Sequence, residues 1–216
     1  MRQDAAIPQS ASLTSPFAQG GLILGITGGT GCGKTTLLNA IAEAGGLVLD
    51  CDAIYHELLT RDTALLSAIE TRFPGTVENG ALQRKKLGAI VFADPRALED
   101  LNAITHGAIK AEILRRLEET PGLAAIDAIA LFEGGLAQLC DMTVAVTAPE
   151  EDRVARLMLR DGISEEYARK RIAAQHSTEW FRQRCDRVLE NSGTKRNFQE
   201  KCLAFLRESG IIFKNN

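Results

Sequence analysis

Apolar residues along the chain fall into short unbroken runs that alternate with longer stretches where they recur every three or four positions. Leu22 to Ile26 is the first such run. It ends in glycines, so the pattern predicts a buried strand there. From Lys34 to Ala44 the apolar positions Leu37, Leu38 and Ile41 share a face, and Gly45 can close the end, which predicts a helix. Further strands are expected over 47–49, 124–132, 142–147 and 188–189. The stretch from Ala53 to about Pro121 reads as mostly helical, broken by turns at Phe73-Pro74-Gly75 and Asn79-Gly80. Asp94-Pro95 starts its last helix, with Asp as N-cap and Pro in the first turn. Helices are also predicted over 150–160, 165–176 and 195–208.

Strands alternating with helices imply an α/β fold: a parallel five-stranded sheet with helices on both faces. Ligands of such sheets bind beyond the carboxyl ends of the strands. Gly28, Asp52, Glu133 and Asn191 each follow a predicted strand end, so they are expected to converge on one crevice.

A length of 216 residues fits one domain, expected over 21–210. Residues 1–20, rich in Ser, Gln, Pro and Ala, read as a flexible tail without the apolar core of a secretory signal. A net charge of −3 gives no footprint for nucleic acid or an anionic membrane, and no apolar run reaches the roughly 20 residues that span a bilayer. Five cysteines without a C-x-x-C pair argue against a disulfide framework and a zinc site, and fit a reducing cytoplasm.

Candidate chemistry sharpens this picture. Gly28-Gly29-Thr30-Gly31-Cys32-Gly33-Lys34-Thr35 matches the phosphate-loop pattern G-x-x-x-x-G-K-[ST], with a strand before it and a helix after it. Glycines let successive N–H groups point at phosphate oxygens, and the helix N-terminus favours anions. Lys34 can reach the β- and γ-phosphates, and the Thr35 hydroxyl can ligate Mg²⁺; Thr36 follows in the first helical turn. The expected ligands are therefore ATP and Mg²⁺. Cys32 admits two readings: a thiol activated beside the phosphates, or a small apolar side chain packed inward. The guanine motif N-K-x-D, the switch motif D-x-x-G and an L-S-G-G-Q-like signature are all missing, which favours a small-molecule kinase over a GTPase or an ABC-type ATPase.

A kinase also needs a carboxylate beside the acceptor hydroxyl. Asp50 and Asp52 follow the second strand and, if the chain stays extended, lie on the same side. Asp52 is the expected base; Asp50 is either functional or a solvated strand end. Arg153, Arg156 and Arg160 share a helix face in a lid region expected over about 150–180. Arg156 and Arg160 are expected to neutralise charge on the transferring phosphoryl group, the alternative being a salt-bridged exposed face.

The ordered set of motifs resembles the dephospho-coenzyme A kinase family. The phosphate loop followed by Asp50-Cys51-Asp52-Ala53-Ile54 is similar to its T-G-G-x-x-x-G-K-[ST] and D-A-D-x-I-x-R text. Gln83-Arg84 with Val91-Phe92, His106, Leu131-Phe132-Glu133, the lid set of Arg156, Arg160, Asp161, Arg171 and Gln175, and Asp186 through Gly193 continue the likeness. His56 stands where that family has Arg, Gly107 where it has Pro, Arg153 where it has Gln and Cys185 where it has Ala. The resemblance implies phosphorylation of the ribose 3′-hydroxyl of dephospho-coenzyme A by ATP. Asp52 would be the base, Lys34 and Arg160 would act on the phosphoryl group, and the helical insert over about 53–121 would hold the acceptor. Arg84, His106 and Glu133 are candidate acceptor contacts by the same resemblance, and Asn191 is a candidate wall of the nucleotide site. Glu133 could instead hold Mg²⁺ through water or be a buried structural carboxylate. A kinase for another small hydroxylated metabolite or nucleoside, and a nucleotide-dependent switch without transfer chemistry, are the alternatives. Oligomeric state is left open.

Overall fold

The computed structural model describes residues 21–211, so the predicted tail lies outside the described residues. In chain order the elements are β1 (Leu22–Thr27), α1 (Lys34–Glu43), β2 (Leu47–Asp50), α2 (Cys51–Arg61), α3 (Thr63–Arg72), β3 (Val77–Glu78), β4 (Ala81–Leu82), α4 (Arg84–Val91) and α5 (Pro95–Glu119). They continue with β5 (Leu123–Asp127), a single 3₁₀ turn at Ala137–Leu139, β6 (Met142–Thr147), α6 (Glu150–Asp161), α7 (Glu165–Ala173), α8 (Thr178–Arg184), β7 (Arg187–Glu190) and α9 (Lys195–Glu208). The main sheet has strand order β2-β5-β1-β6-β7, all parallel. The expected five-stranded α/β architecture is therefore present. A β3–β4 hairpin, absent from the sequence reading, occupies the turn region around Asn79-Gly80.

Alternation along β1 divides the interior into two cores. Leu24 and Ile26 face α1 and α9, packing with Leu37, Ile41, Val146, Phe198 and Leu206. Ile23 faces the opposite side, where Leu49, Ile54, Ile69, Ile113 and Leu117 bring α2, α3 and α5 against the sheet. Gly25 shares that second face, and a Cβ there would lie 2.8 Å from the Cys140 sulfur and 2.9 Å from Leu131. The strand is thus held open for the loop that follows β5. A third, small cluster of Val154, Leu157, Ala168 and Ile172 joins α6 to α7 alone.

Two boundaries differ markedly from expectation. β5 stops at Asp127, and Ile129 through Gly135 is a series of turns, although the sequence remains apolar as far as Phe132. Those residues are apolar because the turn folds back over the sheet, where Leu131 is fully buried. α7 ends at Ala173, short of the expected His176, and Ser177 then caps the separate helix α8.

Candidate active site

The phosphate loop leaves β1 at the centre of the sheet and enters α1. Gly28 has φ 135°, and a Cβ on it would sit 2.1 Å from the Val146 carbonyl oxygen, so the loop can pass β6 only with glycine there. Gly33, at the helix N-cap, has φ 92° and lies against the Asn191 side chain. Asn191 is buried and its amide donates to the Cys32 carbonyl at 2.8 Å. It supports the loop from behind instead of facing the open cavity.

The loop is also tied to the α6–α7 pair. Arg153 is buried, and its Nε donates to the Thr30 carbonyl at 2.9 Å. The Gln175 side-chain oxygen accepts both from Arg153, at 2.9 Å, and from the Thr30 amide, at 2.8 Å. Arg156 donates to the Gly31 carbonyl at 3.1 Å. The three arginines of the predicted face thus differ in role by depth: Arg153 braces the loop, Arg156 touches it, and Arg160 is exposed with its guanidinium on Asp161. Asp161 also receives Arg171, and hydrogen bonds from Arg160 first, then Arg171, hold its carboxyl down to about 2.

A cavity of about 570 Å³ opens in front of the loop, lined among others by Gly29, Lys34, Thr35, Asp127, Arg156 and Arg160, with Asp52 on its wall. A second cavity of about 200 Å³ lies beside it, bounded by Tyr55, His106, Ile109 and Leu136, and Asp52 lines this one too. Asp52 therefore stands on the seam between the two. It does so because β2 ends at Asp50, whose carboxylate accepts from the amides of Asp52 and Ala53 at 2.9 and 3.1 Å and caps α2. The chain is helical at Asp52, not extended, so the expectation that both carboxylates share a side gives way to a division of labour. His56, one turn on, bonds back to the Asp52 carbonyl.

Asp127 went unmarked in the sequence. It ends β5, next to β1, and its Oδ1 is buried without a hydrogen-bond partner among the described residues. The Lys34 ammonium is 4.0 Å away and donates to the Gly28 carbonyl at 3.1 Å. Burial raises the Asp127 carboxyl to about 6; Lys34 pulls it down, and Asp50 and Asp52 add to the rise. A lone carboxylate inside the apolar run Ala124-Ala125-Ile126-Asp127-Ala128 was the available signal.

Other expected residues lie elsewhere. Glu133 is exposed on the turn after β5 and bonds to His176 at 2.6 Å, whose ring stacks on Trp180 at 3.7 Å; it lines neither cavity and is not a buried structural carboxylate. Arg84 begins α4 and acts through its charge on the Tyr55 phenol. Thr36 turns towards a groove shared with Lys195 on α9. Cys32 is packed inward at 3% exposure, and burial pushes its thiol up against the opposing pull of Arg153 and Lys34. The inward of its two readings is the one the fold adopts.

A glycine-rich loop opening a helix off the central strand, with a carboxylate between a polar and an apolar cavity, defines a P-loop kinase of small molecules. A shikimate kinase from Bacteroides thetaiotaomicron has the same fold at 12% identity and a TM-score of 0.54. The chain belongs to the dephospho-CoA kinase family, whose profile matches residues 22–197. The dephospho-CoA kinase of Enterococcus faecalis is 37% identical over 191 residues, spanning 86% of this chain and 96% of its own. That of Symbiobacterium thermophilum is 39% identical over 178 residues, 80% and 74% of the respective chains. Among solved structures, a Thermus thermophilus protein shares 34% identity with a TM-score of 0.74, and the dephospho-CoA kinase from Campylobacter jejuni shares 25% with a TM-score of 0.62; each aligns over 88% of this chain and 98% of its own.

Proposed function

We infer that this chain transfers the γ-phosphoryl group of ATP to the ribose 3′-hydroxyl of dephospho-coenzyme A, giving ADP and coenzyme A, the last step of coenzyme A biosynthesis. Family membership supports the reaction. The observation that carries the mechanism is the position of Asp52, common to the walls of both cavities. A hydroxyl entering from the apolar side meets this carboxylate before it meets the phosphates. Asp52 orients that hydroxyl and accepts its proton as the new P–O bond forms.

Lys34 and the loop amides bind the β- and γ-phosphates, and Lys34 must leave its hold on the Gly28 carbonyl to do so. Arg156 and Arg160, with Arg171 beside them on the same cavity wall, offset the charge that spreads over the transferring group. Helices α2–α5 form the acceptor-holding insert and α6–α7 the lid. Within the acceptor side, His106 lines the apolar cavity and Arg84 stands near its rim through Tyr55.

Hard oxygen donors at the site fit Mg²⁺: the Thr35 hydroxyl and the unpaired Asp127 carboxylate oxygen both border the phosphate cavity. No cluster of three or more His, Cys, Asp or Glu side chains able to hold a metal occurs among the described residues, which suits an ion held mainly through one or two protein oxygens, water and nucleotide phosphates. When bound, Mg²⁺ would supply charge neutralisation at the nucleotide phosphates, with Thr35 and Asp127 as the residues that would hold it. Cytoplasmic placement is part of the reading; five free thiols support it. Among the described residues no helix is long and apolar enough to cross a membrane.

The test is a panel. Incubation with Mg-ATP and dephospho-coenzyme A, shikimate, gluconate or nucleosides, followed by mass spectrometry, should give phosphorylated product far faster with dephospho-coenzyme A. Equal turnover of another acceptor would overturn the assignment.

A further inference from the structure

We propose that Arg153 is an internal counter-ion for the nucleotide's phosphate chain: its guanidinium, set behind the phosphate loop, attracts that chain through the loop backbone and favours nucleotides with more phosphates. The proposal rests on the reading of this loop as a nucleotide site. It goes beyond that reading by giving a residue outside the cavity a share in selecting the ligand.

Three observations lead there. The first is depth. Arg153 is 7% exposed and does not line the phosphate cavity. The second is pairing. Every cation on the cavity wall has a carboxylate within 4.0 Å: Lys34 has Asp127, Arg156 has Asp152, and Arg160 and Arg171 share Asp161. Arg153 has no such partner among the described residues. Its bonds run to the Thr30 carbonyl and the Gln175 amide oxygen, both neutral. The neighbouring Cys32 thiol, raised by burial, is neutral as well. A buried charge without a counter-charge is costly, so the free protein holds here a positive charge that an anion would relieve. The third is closeness. A Cβ on Gly29 would sit 2.3 Å from the Arg153 Nη2, and Gly29 itself lines the phosphate cavity. Only the loop backbone separates the guanidinium from the phosphate site.

Bracing alone does not account for this side chain. A neutral donor could make comparable hydrogen bonds to Thr30 and Gln175, and Arg153 stands where the resemblance leads one to expect Gln. The guanidinium adds charge, and in a setting poor in water that charge acts strongly on a nearby anion. Its pull grows with the charge of the ligand, so a triphosphate gains most, a diphosphate less and a monophosphate least. The phosphates carry the same total charge before and during transfer. The effect therefore falls on binding more than on rate, unlike that expected of Arg160.

The experiment removes the charge and varies the ligand's charge. Wild type, Arg153→Gln and Arg153→Lys are titrated by calorimetry with AMP, ADP, ATP and inorganic tripolyphosphate. For Arg153→Gln the expected result is a rise in Kd of about 10-fold or more for ATP and tripolyphosphate, a smaller rise for ADP and the smallest for AMP. Arg153→Lys should recover most of the loss. With dephospho-coenzyme A as acceptor, kcat of Arg153→Gln at saturating ATP should stay within about 3-fold of wild type while KM for ATP rises. Equal losses for AMP, ADP and ATP would make Arg153 a brace only and overturn the proposal. So would a Lys variant no better than the Gln variant. Should Arg153→Gln melt too low to titrate, Gln175→Glu carries the test. It keeps an acceptor for Arg153 and Thr30 but gives the guanidinium a carboxylate of its own, so the same graded loss is expected and unchanged binding refutes the idea. A wild type that binds tripolyphosphate but not ATP would sink the kinase reading and leave the tripolyphosphate comparison to decide this one. A wild type that binds neither overturns both.

Discussion

Replacing Asp127 with Asn should stabilise the protein while disabling it. Burial raises the Asp127 carboxyl from 3.8 to about 6, so the ionised form is disfavoured in the fold relative to the unfolded chain. A rise of about 2 units corresponds to about 3 kcal/mol. The sign follows from the raised value: the folded state binds this proton more tightly, so the stability it contributes is complete below the unfolded pKa near 3.8 and is lost as pH rises through about 6. At pH 8 the native protein therefore carries the whole burden, and Asp127→Asn removes the charge. The pull of Lys34, 4.0 Å away, is already contained in that raised value, and the new amide's own cost of burial brings the net gain at pH 8 to about 1–2 kcal/mol. For a chain of this size that is a rise in Tm of about 2–8 °C. Thermal denaturation of both proteins without nucleotide, at several pH values from 4 to 8, reads it directly. The variant should be about 1–2 kcal/mol less stable than wild type at pH 4, overtake it as the pH rises towards about 6, and hold a level gain above that. A variant less stable than wild type at pH 8, or a gain independent of pH, would refute the reasoning. Activity of the variant should fall sharply, because on the proposed reading the oxygen without a partner among the described residues is the one that would hold Mg²⁺.

Other consequences are simpler to state. Asp52→Asn should retain ATP binding and lose about 10²–10⁴-fold in kcat with dephospho-coenzyme A, measured by calorimetry and steady-state kinetics; near-normal kcat would remove Asp52 as the base. Arg160→Gln should lower kcat more than it raises KM for ATP, since its charge matters most as the phosphoryl group transfers; a change in KM alone would make it a ground-state contact. Cys32, buried with its thiol raised, should resist iodoacetamide at neutral pH with or without Mg-ATP, while the half-buried Cys185 labels first. Peptide mapping checks this, and rapid nucleotide-protected labelling of Cys32 would contradict the packing described.

The phosphate loop was legible because its pattern is local: the glycine spacing, Lys34 and Thr35 are those that one phosphate ligand would fix, whatever surrounds them. The strand alternation was legible for a similar reason, since both faces of the sheet are covered and its strands are apolar throughout. What escaped depends on the tertiary fold. Ala128 to Phe132 looks like more strand because a turn buried over Gly25 needs the same apolar residues as a strand does. Asp127, inside the 124–132 stretch read as one strand, went unmarked for the same reason. Asp52 was singled out by its position after a strand, but its placement between two cavities depends on the Asp50 cap turning the chain into a helix. Asn191 and Glu133 share a position after strand ends with the residues of the crevice. One turns under the loop and the other out to His176, and nothing in their spacing distinguishes these fates.

The separate cluster of Val154, Leu157, Ala168 and Ile172 gives α6 and α7 an energetic independence from the rest of the molecule. Neither sheet core shares those four side chains, so the pair can swing away without exposing sheet-core apolar surface. Its attachment is largely polar: the bonds among Arg153, Gln175 and Thr30, and Arg156 on Gly31. Polar links exchange readily with water, whereas the buried sheet does not. Backbone amides of α6 and α7 should therefore exchange with deuterium through a sub-global opening well before those of β1 and β6. Nucleotide bound against the same loop and arginines would slow that exchange selectively, making protection of the α6–α7 amides a measure of how fully the nucleotide has been gripped.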